Sequence, residues 1–359
     1  MIFQRAAQRE FTQATAGVFV ALFSILLTTQ LIRLLTEAAG GKVAPEAVAA
    51  LLGFAALNYL PVLLSLSLFI AVLLSLSRSY RDAEMVVWFS SGLPLTAWVR
   101  PVLSFAAPLV IAIAVLSLFL APWAVSKSVE FRQKMSARND AGQVSPGVFQ
   151  EAASADRVIF VETVTEDASH ARNIFVSSLQ NQQLGVTMAA TGHLESAANG
   201  DRFIVLENGR RYEVTPGSLS FRILEFVRYA VRIETRETQE LERTPRNTAS
   251  WDLIQSTDPA SRAELLWRLG LPLSAIVLAL LAIPLSFVNP RAGRSANLLL
   301  ALFVYMLYSN MLSISQAWVA QEKCSFLLGL TSIHALMLLL LPLLFYQRIS
   351  VFSFARILR

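Results

Sequence analysis

Along this chain, long stretches without charge alternate with short polar interruptions, and midway the period of the pattern changes. Six apolar runs, at residues 14–35, 46–77, 101–122, 265–288, 297–319 and 326–345, each exceed the about 18 residues needed to cross a hydrocarbon core as a helix. The pattern therefore predicts six transmembrane helices. From about Gly142 the helical period gives way to short runs of β-branched and aromatic residues bounded by polar and glycine-containing turns. These are "RVIFVETV" (157–164), "NIFVSSL" (173–179), "LGVTMAATGHLES" (184–196) and "RFIVLENGRRYEV" (202–214), the last with a hairpin signal at Asn208-Gly209. In "FVRYAVRIET" (226–235), Val227, Tyr229, Val231 and Ile233 alternate with Arg228, Arg232 and Glu234, predicting one apolar and one wet face.

The predicted architecture is an α-helical integral membrane protein with an all-β domain, a small antiparallel sandwich or jelly roll, inserted between helices 3 and 4. Its parts are a first membrane half over residues 1–122, a β domain with flanking linkers over 123–262 and a second membrane half over 263–359. "APWAVSKSVEFRQKMSARND" reads as a helical continuation of the third span, and "ETQELERTPRNTASWD" as an exposed return to the membrane.

Composition agrees, since 55% of residues are hydrophobic and only 15% charged, too apolar for an ordinary soluble domain. The start "MIFQRAAQREF" carries Arg5 and Arg9 like a signal peptide. The apolar run behind it is too long and lacks a small-x-small cleavage site, so it reads as a retained anchor. Arginines 5 and 9, then 78, 81 and 100, then 291 and 294, then 348, 356 and 359 fall in alternate connections, which places those connections and both termini in the cytoplasm. The opposite short connections hold only Lys42 and Lys323, and the β domain is then outside. Residues 123–262 hold 16 Lys and Arg against 18 Asp and Glu, so the net charge of +5 belongs to the membrane part and gives no support to nucleic-acid binding. The single cysteine, Cys324, has no partner for an internal disulfide.

Candidate chemistry is sparse. No carboxylate sits well inside a span, against an ion-coupled relay. Arg33 and Arg268 lie near outer span ends, and the lone His334 reads as a packed or hydrogen-bonded histidine rather than a ligand. Arg33 either snorkels to the interface or receives an anionic head group. None of the four lysines (Lys42, Lys127, Lys134, Lys323) follows a phosphate-binding loop, so any energy source is a separate protein. There is no HExxH, GxSxG or Cys-x-x-Cys, His170, His193 and His334 lack metal-ligand spacing, and Glu166-Asp167 read as solvated turn charge. The chain is thus expected to be non-catalytic and to hold no metal or cofactor.

The stretch "RSYRDAEMVV" (78–87) stands out. Ser79 followed by Asp82, with "SSGLP" at 90–94, predicts a short helix over about residues 80–91. On it Tyr80, Met85, Val86, Val87, Trp88 and Phe89 surround the axis, among Arg81, Asp82 and Glu84. Either it tucks against the inner ends of its own spans, or it seats in a groove of a cytoplasmic ATPase with Glu84 meeting an arginine there.

The order of parts resembles the permease subunits of lipopolysaccharide export transporters, the YjgP/YjgQ family. The resemblance covers nearly the whole chain, through "SLFIAVLLSLSRSYRDAEMVVWFSSGL" (67–93), "SPGVFQEA" (145–152), "ATGHL" (190–194) and "RAELLWRLGLPLSAIVLALLAIPLSFVNPRAGR" (262–294). It implies that the loop after the second span is a coupling helix docked on the LptB ATPase, with Glu84 as its acidic residue and Tyr80, Arg81, Asp82, Met85 and Val86 around it. It also implies a second permease, LptG, a periplasmic β domain continued by that of LptC, and lipopolysaccharide as the substrate. ATP and Mg would be used by the ATPase alone. Arg33 matches a family position that meets the lipid A head group, whereas Gln30 stands where relatives carry lysine. Two alternatives are a permease for another lipid or lipoprotein and a membrane-anchored scaffold or receptor whose β domain only binds a partner.

Overall fold

A computed structural model of the chain describes residues 2–40, 43–142, 147, 149–151, 157–164, 170–180, 183–196, 202–214, 221–234, 243–287 and 294–349. Lys42, Glu166, Asp167, Arg291, Arg356, Arg359, residue 235 and residues 237–242 of the expected return lie outside these. So do the side chains of His170, Val231, Arg232, Ile233, Glu234 and Arg294. The chain divides into two compact units, one of residues 1–131 with 243–359 and one of residues 132–242.

All six apolar runs form helices, the fourth as far as Leu285, with residue 288 outside the described residues. The helices are α1 (Ile2–Ala39), α2 (Val48–Arg81), α3 (Glu84–Ser90), α4 (Val99–Val115), α5 (Ala121–Gly142), α6 (Ser250–Gln255), α7 (Pro259–Leu285), α8 (Arg294–Ala320) and α9 (Phe326–Ile349). A π turn, Leu116–Leu120, joins α4 to α5, so the third span runs on through the expected helical continuation. The spans α1, α2, α4 to α5, α7, α8 and α9 are long and apolar enough to cross a membrane. Prolines 61, 108, 272, 284 and 342 lie inside them, as a bundle tolerates when neighbours take up the freed backbone groups.

Burial ranks the spans. In their most apolar windows α7 and α2 are 72% and 67% buried, against 6% for α1 and 17% for α9. The central helices make the core from Leu68, Phe69, Val72, Leu73, Leu278, Ala279 and Ala282, all 0–1% exposed. Small residues set the close approaches, as expected where both lipid and protein are apolar. A Cβ on Gly270 would come 2.8 Å from the Leu312 side chain, and on Gly329 it would meet Val319 at 2.7 Å. Beside Gly329, the Ser315 hydroxyl donates to its carbonyl at 2.7 Å.

The second unit is one antiparallel sheet of β1 (Gln150–Glu151), β2 (Arg157–Val164), β3 (His170–Gln180), β4 (Gln183–Ser196), β5 (Arg202–Val214) and β6 (Phe221–Glu234), paired in chain order. The antiparallel β domain expected between the third and fourth spans is present. Its order is an up-and-down meander, where a jelly roll would place non-consecutive strands side by side. Short connections between consecutive strands impose this order.

One transverse row interrupts every major ladder. The registers pass from Val161↔Ile174 to Thr163↔Arg172, from Arg172↔Thr191 to Ile174↔Ala189, from Ala189↔Gly209 to Thr191↔Glu207, and from Glu207↔Arg228 to Gly209↔Phe226. Glu162, Asn173, Ala190, Asn208 and Val227 are skipped. Asn173 and Asn208 sit there in the left-handed region, at φ 49° and 53°, where asparagine is tolerated. The row is a crease, and it corrects two expectations. Asn208-Gly209 is no hairpin turn, because β5 continues through it as one strand. The alternation in β6 also breaks at the crease, so Phe226 and Tyr229 pack on the core of Val161, Ile174, Val176, Ala189 and Leu206 while Val227 is 79% exposed.

Candidate functional site

The junction of α2 and α3 is built by a backbone reversal. α2 runs on to Arg81, Asp82 caps it with its N–H on the Arg78 and Tyr80 carbonyls, and Ala83 turns into the left-handed region at φ 60°. The expected helix over 80–91 is therefore shorter, Glu84–Ser90, with Tyr80 and Arg81 in the last turn of α2. Ser79 is not its start. Its hydroxyl, inside α2, donates to Glu84 Oε2 at 2.9 Å. The end is as the glycine signal predicts, since Gly92 at φ 87° donates to the Phe89 carbonyl and Leu93 to that of Trp88, closing a Schellman motif.

Around this junction the predicted residues separate into two sets. Met85 is 1% exposed and plugs the membrane core. Tyr80 lies 6.3 Å from the Phe89 ring and edge-on to Phe287 at 5.4 Å, and the Arg348 guanidinium covers Phe287 at 4.4 Å while its Nε donates to the Pro284 carbonyl. That chain of contacts ties α3 to the ends of α7 and α9. Pointing away from the bundle are the Arg81–Asp82 pair at 3.7 Å and Val86 and Val87, both 65% exposed, while Glu84 is part-exposed at the margin with both oxygens turned to Ser79 and Arg78 of α2. An acid beside an uncovered apolar knob is a surface suited to a groove that offers a cation. One side of α3 is thus tucked against its own spans, as the first alternative has it, and the other is left open.

Sequence reasoning missed the charges behind Glu84. Arg78 Nε lies 2.9 Å from Glu10 Oε1 of α1, and Arg78 Nη2 lies 3.8 Å from Glu84 Oε1. Spacing from Arg78 to Glu84 was visible, but nothing in the sequence brings Glu10 to them.

At the other end of α1, Gln30 and Arg33 stand three apart and so share a helix face. Gln30 is half-buried, while Arg33 is exposed and paired with Glu37 at 3.2 Å. Around them Leu31, Ile32 and Leu35 are uncovered.

Arg268 is not a head-group ligand, because it is buried and its donors are used. Nε donates to Glu264, Nη1 to the Thr248 carbonyl and the Ser250 hydroxyl, and Nη2 to the Pro245 and Arg246 carbonyls. Ser250 in turn donates to the Leu118 carbonyl in the π turn, and Ser117 donates to the Arg268 carbonyl at 3.0 Å. His334 is hydrogen-bonded between helices, its Nδ1 2.5 Å from the Tyr308 hydroxyl. Among the described residues no group of His, Cys, Asp and Glu is placed to hold a metal.

In the β domain a groove of about 780 Å³ follows the crease, lined by Phe160, Phe175, Met188, Phe226 and Val227 with Arg210 and Glu225 at its margin. Phe149 stacks onto it, 4.6 Å from Phe160. The apolar floor accepts hydrocarbon, and the Arg210–Glu225 pair, 2.7 Å apart, keeps one rim wet. Glu225 raises the pKa of the Arg210 guanidinium further by its charge and hydrogen bond.

Comparison with known proteins gives the family. The profile of the family described as lipopolysaccharide export system permease LptF/LptG matches residues 5–347. Two similar proteins are the lipopolysaccharide export system permease protein LptF of Escherichia coli K12 and that of Shigella flexneri. Each is 30% identical over 319 residues, covering 86% of this chain and 84% of the relative.

Proposed function

The chain belongs to the LptF/LptG family of lipopolysaccharide export system permeases, and from that membership we propose that it is the non-catalytic permease half of an ATP-driven lipid extractor in a bacterial inner membrane. A second permease of the LptG type completes the lipid cavity, an LptB-type ATPase dimer binds the α3 end, and an LptC-type protein meets the β domain. ATP and Mg belong to the ATPase, and this chain supplies no cofactor site. The arginine bias assigns the α3 end and both termini to the cytoplasm and the β domain to the periplasm.

The observation that carries this reading is the α2–α3 junction. Its uncovered Val86 and Val87 face outward beside the part-exposed Glu84 while Met85 and Tyr80 join it to the spans, so force on the knob reaches α2, α7 and α9. Lipopolysaccharide enters beside α1, where Arg33 receives a phosphate or sugar oxygen with Gln30 beside it, in place of its bond to Glu37. Closure of the ATPase dimer collapses the cavity and lifts the lipid towards the crease groove, whose phenylalanines cover acyl chains. The edge strand β6, with Phe221, Ile223 and Leu224 exposed, suits strand addition from the β domain of the LptC-type partner. Binding energy biases the cycle only where it differs between open and closed states.

The test is copurification. The chain is coexpressed with LptB, LptG and LptC, and Glu84→Ala is compared with wild type for LptB retention and lipopolysaccharide-stimulated ATP hydrolysis. Loss of either is expected, and unchanged values for both would remove the docking role. Replacing lipopolysaccharide by phospholipid or lipoprotein in the stimulation assay separates this substrate from another lipid.

A further inference from the structure

We propose that Arg78 is a positioning residue that relays the engagement of Glu84 to α1, the helix that carries Gln30 and Arg33. The inference rests on the docking role of Glu84 given above. Arg78 is a single cation shared by two acids from different helices, 2.9 Å from Glu10 of α1 and 3.8 Å from Glu84 of α3. Also at this junction are the Arg81–Asp82 pair at 3.7 Å and Arg348 over Phe287, and the neutral Ser79 hydroxyl holds the second oxygen of Glu84. When a partner arginine pairs with Glu84, the pull of that carboxylate on Arg78 falls and the guanidinium is released wholly to Glu10. When the partner withdraws, Glu84 draws it back. A planar guanidinium suits this exchange, because it can bind one carboxylate with two donors or share them between two.

α1 is built to respond. It is one unbroken helix from Ile2 to Ala39, and it is the least buried of the spans. At its start Phe11 is 1% exposed and lies 5.5 Å from Phe105, and Gln8 donates to Ser104, while near its far end Leu34 is buried. Glu10 sits beside Phe11. A change in its pairing shifts one continuous helix about 57 Å long at 1.5 Å per residue, whose far end carries the exposed Arg33. Docking at α3 thereby alters the lipid-facing helix through Arg78 of α2.

The experiment uses the full transporter in proteoliposomes with lipopolysaccharide as the probe, and reads ATPase copurification and the lipid-stimulated increment of hydrolysis. Arg78→Gln and Glu10→Gln are each expected to retain the ATPase while the increment falls about fivefold, the low end of ordinary coupling between sites. The double variant should fall no further than either single one, since both remove the same link, and Arg78→Lys should restore at least half of the increment. Full stimulation in the single variants, or effects that multiply in the double one, would overturn the relay. Loss of the ATPase from Arg78→Gln would overturn it too, by making Arg78 a docking residue. If instead Glu84→Ala binds and responds as wild type does, it is the docking reading that fails.

Discussion

Single residues decide where this chain departs from its pattern. Asn208-Gly209 reads as a turn because both residues favour positive φ, and Asn208 does adopt it, but in the middle of a strand. Gly209 is needed there for space. A Cβ would meet the Met188 carbonyl and the Phe226 ring, each at 2.4 Å. Gly209→Ala is therefore expected to destabilise the β domain by about 1–3 kcal/mol, the usual cost of overpacking, and to lower its unfolding midpoint in a denaturant titration. Arg33 offers a second test at this scale, because Glu37 already occupies it. Arg33→Ala should weaken lipopolysaccharide retention in detergent, whereas Glu37→Gln should strengthen it by removing a competing anion. Neither the crease nor this competition is legible beforehand: the first needs four registers to coincide, and the second hides in an ordinary i, i+4 spacing.

Elements were legible where hydrophobic length alone decides them. All six spans and strands β2 to β5 follow from apolar runs and β-branched clusters, since a bilayer and a sheet face each impose a simple period. The π turn was not. "LSLFL" contains no breaker, and the turn depends on contacts from elsewhere, Ser250 to the Leu118 carbonyl and Ser117 to that of Arg268. Arg268 was seen as a charge near a span end, yet its donors hold the segment that leads into α6. Arg268→Met should cost about 3–5 kcal/mol, because it leaves Glu264 buried without its partner and frees several carbonyls. Adding Glu264→Leu should recover part of the loss in thermal unfolding of the purified chain. For α3 the Gly92 stop was legible and the start was not, because a left-handed Ala83 is outside any capping rule.

For the whole molecule, the division of burial among spans carries the functional meaning. α2 and α7 form the buried centre, while α1, α8 and α9 leave Val20, Ile25, Phe303, Met306, Leu336 and Leu339 uncovered. Composition could not reveal this ranking, because all six spans are apolar enough to cross a membrane. The β domain has a further consequence, in time rather than in space. Because its strands pair only with their predecessors, each can add to the sheet as it emerges, with no strand waiting for a distant partner. Contacts this local shorten the search that slows most β proteins, so the domain can assemble during synthesis, before the last three spans have been made.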